Sequence, residues 1–452
     1  MHQVTKSDGN HGEQTKLKIS KPLSQFPFEI FNHASSLEHL DLSGTGLSSL
    51  PDDFSQLKKL KIAFFSNCNF SIFPKQLASC PELEMVAFRS NQMVEIPEDS
   101  LPPNLRWLIL TDNQIRALPR SVGRCRRLQK CMLAGNQLRR LPDEMAACKK
   151  LGLLRLSANE LEELPDWLFD LPELAFLSFA GNPCCSLPAT PKDLRDTTPA
   201  AASFLSEISW ADLQIHDHLG EGASGIISKG LWSEVDQARE VAIKLFKGDV
   251  TSDGTPTDEM EACIRAGSHA NLIDPLGKIT DHPHKAGLVL QLIPTCYKTL
   301  GQPPSLQSCT RDQFSHEVQL TTRQGLKILR GVASAAEHLH DRGVAHGDLY
   351  AHNVLFNEDG HALLGDFGAA SIYDDREHKK VERLEVLAFA HLMEDIWTIT
   401  KPNFDEAKLR VAMQQAALHR RCSNPIGTER PNFSEISRQL SSMEQLLAAV
   451  TG

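Results

Sequence analysis

A period of about 23 residues runs through the first 190 residues of the chain. Repeats of roughly this length are typical of solenoids, in which one unit is too small to bury its apolar face and only a stack of units forms a continuous core. The period therefore predicts stacked units with one short strand each. The pattern LxxLxLxxNxLxxLP occurs seven times, with its first leucine at Leu37, Leu60, Leu83, Leu105, Leu128, Leu151 and Leu174.

The asparagine position of the pattern carries side chains that can hydrogen-bond backbone groups in the tight turn after each strand. These residues are Thr45, Cys68, Asn91, Asn113, Asn136, Asn159 and Asn182. The repeats resemble leucine-rich repeats, and the resemblance implies an α/β leucine-rich-repeat solenoid over residues 20–190. Residues 1–19 are polar and are predicted to be a disordered N-terminal tail. Residues 191–208 break the period and are predicted to be a linker.

Side chains between the repeat leucines are predicted to point to the concave face of the solenoid, because successive residues of a strand alternate in direction. An apolar stripe on a face that should meet water predicts a protein substrate or peptide ligand there. The alternative is that another part of the same chain covers the stripe. The stripe comprises Ile62, Phe64, Met85, Trp107, Ile109, Met132, Leu153 and Phe176, with Arg89, Lys130 and Arg155 among them.

Four short motifs follow one another in the second half of the chain. They read LGEGASGII (219–227), VAIK (241–244), HGDLYAHN (346–353) and DFG (366–368). Each alone is a weak signal, but their order and spacing together resemble the eukaryotic-type protein kinase family. The resemblance implies an α+β bilobal kinase-like domain over residues 209–450, with ATP and Mg²⁺ as cofactors.

The resemblance also implies a role for each motif residue in phosphoryl transfer. Asp348 would orient the acceptor hydroxyl and accept its proton, while Asn353 and Asp366 would bind Mg²⁺. Lys244 would hold the α- and β-phosphates of ATP. The remaining nucleotide contacts would come from the glycine-rich loop, the strands and the hinge, at Gly220, Gly222, Gly225, Ile227, Ala242, Gln291 and Ile293.

Lys244 also needs a carboxylate partner on the helix that follows its strand. Glu259 and Glu261 both stand in the segment DEMEACIRAG. In the kinase family the residue four positions after that glutamate packs near the DFG phenylalanine and is apolar. Glu259 is followed at that spacing by Cys263 and Glu261 by a charged arginine. Glu259 is therefore the predicted catalytic partner of Lys244.

The catalytic loop departs from the family pattern at two positions. Gly347 stands where many kinases have an arginine that receives a phosphorylated activation loop, so switching by loop phosphorylation is not expected. Tyr350 replaces the lysine of many serine/threonine kinases, and His352 offers a donor near Asp348. Glu385 stands where the family has an aspartate that supports the catalytic loop. Only residues 369–384 separate DFG from Glu385, and this segment is too short for the usual peptide-docking loop of the family.

Composition narrows the class of protein. The formal net charge of −10 does not favour nucleic-acid binding. We expect no membrane span and no signal peptide, and the scattered eleven cysteines are read as reduced thiols of a cytoplasmic protein. The sequence thus predicts an ATP-dependent protein kinase that phosphorylates Ser/Thr of a protein substrate, with the repeats recruiting partners. The alternative is a nucleotide-binding pseudokinase scaffold in signalling.

Overall fold

The computed structural model describes residues 14–185, 205–222, 224–233, 237–247, 250–315, 318–374, 378–401 and 406–451. Its first part is one parallel sheet of eight short strands, hydrogen-bonded in chain order. The leucine that opens each of the seven repeats is fully buried, as the solenoid requires. The strands are β1 (Lys16–Lys18), β2 (His39–Asp41), β3 (Ile62–Phe64), β4 (Met85–Ala87), β5 (Trp107–Ile109), β6 (Lys130–Met132), β7 (Leu153–Arg155) and β8 (Phe176–Ser178).

In the third to seventh repeats a buried asparagine links the repeat to the one before it. The side-chain oxygen of Asn113 accepts a hydrogen bond from the N–H of Met93 at 3.0 Å, and its amide donates to the carbonyl of Leu110 at 2.9 Å. Asn136 repeats both contacts one unit further along. Most of the returning segments contain short 3₁₀ helices, at Phe28–His33, Asp52–Gln56, Lys75–Ser79, Arg120–Arg124, Asp143–Ala147, Asp166–Asp170 and Pro183–Cys185.

The prediction of a disordered tail over residues 1–19 is wrong for residues 14–19. Strand β1 pairs in parallel with β2, with Leu17 opposite Leu40. The physical reason is that Leu17 lies 23 residues before Leu40, so the repeat period already begins there. Residues 1–13 lie outside the described residues.

The second domain begins with a six-stranded sheet, whose strands lie side by side in the order Leu213–Glu221, Gly225–Ser233, Ala238–Phe246, Gly287–Gln291, Pro275–Thr280 and Ser206–Ser209. Its first strand, Ser206–Ser209, pairs in parallel with Pro275–Thr280, so the linker predicted over 191–208 is wrong for 205–208. Residues 186–204 lie outside the described residues. The elements are β9 (Ser206–Ser209), β10 (Leu213–Glu221), β11 (Gly225–Ser233), β12 (Ala238–Phe246), α1 (Pro256–Ala266), β13 (Pro275–Thr280) and β14 (Gly287–Gln291), with a 3₁₀ turn at Trp210–Asp212.

A mostly helical part follows and completes a bilobal domain, so the predicted fold class is confirmed. Helix α2 (Thr322–His340) begins with a capping box formed by Thr321 and Gln324 and buries one face in the core. No helix within the described ranges is long and apolar enough to cross a bilayer. The elements are β15 (Lys298–Thr299), α2 (Thr322–His340), β16 (Val344–Ala345), β17 (Val354–Phe356), β18 (Ala362–Leu364), β19 (Ser371–Ile372), α3 (His378–Ile399), α4 (Glu406–Cys422) and α5 (Phe433–Thr451), with 3₁₀ turns at Ala351–Asn353 and Gly427–Glu429.

The second domain covers much of the concave face of the repeats. Leu153 and Phe176 belong to the same buried apolar cluster as Tyr350 of the second domain. The indole N–H of Trp107 donates to the thiol sulfur of Cys309. From Trp107 onward the alternative of cover by the chain itself therefore holds in this structure, and burial within the chain explains that part of the apolar stripe. A ligand on the concave face stays a prediction.

Candidate functional site

Helix α1 begins and ends where its sequence dictates. The hydroxyl of Thr255 accepts a hydrogen bond from the N–H of Asp258 at 3.2 Å, and Pro256 occupies the first turn. The helix ends at Gly267, whose φ of 64° suits glycine. Between these two ends, Glu259 lies on the buried face of the helix, which packs toward strand β12.

Lys244 and Glu259 form a buried ion pair. The side chain of Lys244 retains 8% of its exposure and that of Glu259 4%. Burial alone would lower the pKa of Lys244, but the carboxylates of Glu259 and Asp366 raise it above its ordinary value. Glu261 is exposed. The structure thus pairs the lysine with the glutamate that the sequence selected.

Three of the predicted nucleotide contacts, Ile227, Ala242 and Lys244, share one face of the sheet. Residues directly opposite each other in an antiparallel pair point to the same face. Ile227 lies opposite Lys244, and Ala242 lies opposite Leu290 of β14. Since Ala242 and Lys244 are two residues apart on β12, all four side chains point toward the cleft. Gln291 is the last residue of β14 and lies opposite Val241, and Ile293 follows the strand; both are half-buried.

The glycine-rich turn lies at one end of this cleft. A Cβ on Gly225 would lie 2.7 Å from the carbonyl oxygen of Leu245, so only glycine allows β11 to approach β12 this closely. A Cβ on Gly220 or Gly222 would meet nothing within 4 Å. The turn closes through the N–H of Gly222, which donates to the carbonyl of Gly225 at 2.9 Å. Its outer surface is therefore open to a ligand.

Asp366 faces the same cleft from the opposite lobe. It is exposed and has a φ of 59°, a left-handed conformation that is costly for a side-chain-bearing residue. One carboxylate oxygen accepts the N–H of Gly368 at 3.1 Å. Carboxylate and amide oxygens are the donors that Mg²⁺ prefers, usually one or two from the protein with the rest from phosphate and water. Asp366 and Asn353 fit that requirement.

Glu385 supports the catalytic loop from helix α3. One of its oxygens accepts the N–H of Gly347 at 2.7 Å, and the other lies 2.8 Å from Nε2 of His340. Burial raises the pKa of Glu385, but these contacts and the nearby His346 outweigh it and hold the pKa below its ordinary value. The glutamate therefore takes the position of the supporting aspartate that the family resemblance implied.

Asp348 is held by contacts from two domains. Its Oδ2 accepts a hydrogen bond from the amide of Asn353 at 2.9 Å, and its Oδ1 pairs with the guanidinium of Arg155. Arg155 lies on β7 of the repeat domain and is 2% exposed. Burial by itself would raise the pKa of Asp348, but Arg155, His352 and His346 lower it below the ordinary value.

Comparison with known families agrees with this geometry. Residues 213–392 match the family described as protein tyrosine and serine/threonine kinase, and residues 36–57 match the leucine rich repeat family. The chain carries leucine-rich repeats and a protein kinase domain. The family description covers both tyrosine and serine/threonine kinases, so it leaves the acceptor residue open.

Curated relatives match between about a third and less than half of this chain. A "probable serine/threonine-protein kinase" of Dictyostelium discoideum is 28% identical over 180 residues, which are 40% of this chain and 12% of that protein. The angiopoietin-1 receptor of Danio rerio is 27% identical over 205 residues, 44% of this chain and 18% of the receptor. An L-type lectin-domain containing receptor kinase of Arabidopsis thaliana is 32% identical over 161 residues, 34% and 23% of the two chains. This chain therefore spans less than a quarter of each.

Two residues near the kinase site carry no motif signal. Asp312 accepts the N–H of His352 at 2.8 Å and lies 2.8 Å from its Nδ1, which fixes the ring beside Asp348. The sequence predicts Arg155 only to be a charged residue on the concave face. The equivalent residues of the neighbouring repeats are Met132 and Ser178, which carry no charge. A charged residue at a position that is uncharged in the neighbouring repeats was the one sign in the sequence that Arg155 has a separate role.

The segment after DFG is short and packed. Ser371 is fully buried, and its hydroxyl accepts the N–H of Phe179 of the repeat domain at 2.8 Å. Tyr373 is 2% exposed, and its hydroxyl lies 2.7 Å from Nδ1 of His340. Both hydroxyls of the short segment are therefore inaccessible to a modifying enzyme in this conformation.

Proposed function

We propose that the protein is an active kinase that transfers phosphate from ATP to Ser/Thr hydroxyls of a protein substrate. The observation that carries the proposal is the buried pair of Lys244 and Glu259 beside the exposed Asp366. A lysine held charged in a dry site by a carboxylate is ready to bind phosphate oxygens. The choice of serine and threonine follows the name of the Dictyostelium relative, a probable serine/threonine-protein kinase.

Each side chain has a defined task in this proposal. When bound, ATP with Mg²⁺ supplies the γ-phosphoryl group that passes to the acceptor oxygen, and ADP leaves. Lys244 binds the α- and β-phosphates, and Asn353 and Asp366 hold the cation. Asp348 orients the acceptor hydroxyl and takes its proton. Asn353 keeps Asp348 in place through the 2.9 Å hydrogen bond.

The test uses the full chain, radiolabelled ATP, Mg²⁺ and equal amounts of peptides that contain Ser, Thr or Tyr. We expect label on Ser and Thr peptides, and its loss in Asp348→Asn, which keeps the shape of the side chain but cannot accept a proton. Lys244→Ala should lower transfer about 10²-fold or more. Undiminished transfer by either variant would refute the assigned roles, and label on Tyr peptides alone would refute the acceptor class.

A second candidate is a nucleotide-binding scaffold without transfer. It is favoured by one observation, the pairing of Asp348 with Arg155. Such a protein would bind ATP with wild-type affinity after Asp348→Asn and would label no peptide in either form.

The proposal has two further parts. The repeats recruit a protein partner, and the protein is located in the cytoplasm. Recruitment would use the strands that precede Trp107, where Phe64 and His39 remain partly exposed. The eleven free thiols suit a reducing compartment.

A further inference from the structure

The repeat domain contacts the catalytic loop at the two positions where that loop departs from the kinase pattern. A Cβ on Gly347 would lie 2.8 Å from the carbonyl oxygen of Leu177 in β8, so a larger side chain does not fit. The ring of Tyr350 stacks on that of Phe176, with centroids 3.8 Å apart and planes within 8°. Both departures are therefore explained by contact with the repeats.

Arg155 lies at the centre of this contact. Its Nη1 donates to the carbonyl of Gly347 at 2.8 Å, its Nη2 pairs with Asp348, and its Nε lies 2.7 Å from a carboxylate oxygen of Asp253. The equivalent position of the preceding repeat is Met132, so the repeat fold itself does not require a charge there. The arginine serves the contact between the domains.

The contact reaches both lobes of the kinase domain. On the amino-terminal lobe, the hydroxyl of Ser178 donates to the carbonyl of Asp253 at 3.2 Å, and a Cβ on Gly254 would lie 3.3 Å from that of Ser157. On the carboxy-terminal lobe, Phe179 binds Ser371, which belongs to the segment that carries the peptide-docking loop in other kinases. The repeats thus lie where an acceptor protein would bind.

Within the described ranges, this contact leaves the nucleotide side of the site free. Asp366 is exposed, and the space around Gly220 and Gly222 is open. We propose that strands β7 and β8 are an autoinhibitory cover, which blocks the acceptor side of Asp348 through Arg155 while the nucleotide side stays open. The inference rests on the proposed kinase activity and names how that activity is regulated.

Geometry explains why the covered state cannot transfer phosphate to a protein. A general base must lie within hydrogen-bond distance, about 3 Å, of the proton it accepts. Oδ1 of Asp348 is paired with Arg155 and Oδ2 with Asn353. The arginine also stabilises the ionised carboxylate and so weakens it as a base. Transfer requires separation of the domains, so the full chain alone labels peptides only through its minor separated fraction, and a partner that prefers the separated state activates the enzyme.

The first test compares Arg155→Met with the wild type and with Arg126→Met. Methionine is the natural residue at the equivalent position of the preceding repeat, and Arg126 is an exposed arginine of the same domain outside the concave stripe. At saturating ATP we expect Arg155→Met to raise transfer to the peptide mixture at least about tenfold, because it removes the charge that holds Asp348. Arg126→Met should equal the wild type, and ATP affinity should be the same in all three.

The second test joins the repeats to the kinase domain by a disulfide bond and leaves Arg155 unchanged. Ser157→Cys with Gly254→Cys places two thiols at a Cβ separation within about 0.5 Å of the usual disulfide value. Formation of the bond is verified by mass spectrometry. The oxidised chain should bind ATP but transfer no phosphate to peptides, and reduction should restore transfer. A Ser157→Cys chain alone, oxidised and reduced, is the control.

The outcomes separate this inference from the activity on which it rests. Activation by Arg155→Met together with redox-dependent silencing of the locked chain supports the cover. Equal or lower transfer by Arg155→Met, or full transfer by the oxidised lock, overturns it while kinase activity stands. Hydrogen exchange of residues 346–350 reports whether Arg155→Met opens the contact. If the contact opens, ATP binds and no peptide is labelled, the proposed kinase activity fails and the cover fails with it.

Discussion

Gly347→Ala is the smallest change that tests the packing around the catalytic loop. Gly347 has a φ of 73°, in the left-handed region that favours glycine. An added Cβ would lie against the carbonyl oxygen of Ala369 and 2.8 Å from that of Leu177. An unstrained contact between these atom types is about 3.5 Å. The methyl group therefore forces the loop, the segment after DFG or strand β8 to move.

The cost has two parts that can be estimated separately. A left-handed conformation costs an alanine about 1–2 kcal/mol relative to glycine. Overpacking of a dense interior costs about 1–3 kcal/mol. The free energy of unfolding should therefore fall by about 2–5 kcal/mol in Gly347→Ala.

Gly44→Ala is the matched control. Gly44 has nearly the same φ, 76°, but a Cβ there would meet nothing within 4 Å. It should lose only the conformational part, about 1–2 kcal/mol. Urea unfolding measures both losses, each from the transition in which the altered domain unfolds. If Gly347→Ala loses no more than Gly44→Ala, the two carbonyls do not crowd this position and the explanation of the missing arginine is wrong.

Two further predictions concern glutamates of the kinase domain. Glu259→Gln should lower transfer about 10²-fold or more because Lys244 loses its position, whereas Glu261→Gln, on the exposed side of the helix, should stay near the wild type; the reverse order would contradict the assignment. The pKa of Glu385 in the folded state lies below its ordinary value of 4.5, so its ionised carboxylate stabilises the fold above about pH 4.5, and this stabilisation is lost as the pH falls through the folded-state pKa. The Tm difference between wild type and Glu385→Gln should therefore be largest at pH 7 and shrink in acid, and a difference that stays constant down to pH 3 would contradict this.

The sequence was most informative where one residue type recurs at a fixed spacing. The repeat leucines and asparagines predicted the solenoid because the same residue type recurs at the same buried position in successive repeats. The choice of Glu259 rested on one spacing, the apolar Cys263 four residues on, and the structure brings that glutamate to Lys244. Short edge strands were harder, because three or four residues such as Ser206–Ser209 carry too little pattern to be distinguished from a linker.

Contact between the domains could not be predicted from either pattern alone. Alternation along a strand shows which side chains leave the repeat core, but it does not show what lies opposite them. Arg155 pairs with Asp348 across 193 positions of the sequence, and no local signal spans that separation. The departures at Gly347 and Tyr350 were visible in the sequence. Their cause was not, because it belongs to residues of the other domain.

The shared core of the two domains limits how such a chain can be recombined. Leu153 and Phe176 of the repeats pack in one cluster with Tyr350 of the kinase domain. A kinase domain with the usual arginine and lysine at positions 347 and 350 would bring two charges into this apolar contact, where burial of an unpaired charge is costly. Repeats joined to such a domain would in turn leave Phe176 facing water. The two halves look modular in sequence, but they can be exchanged between proteins only as a matched pair.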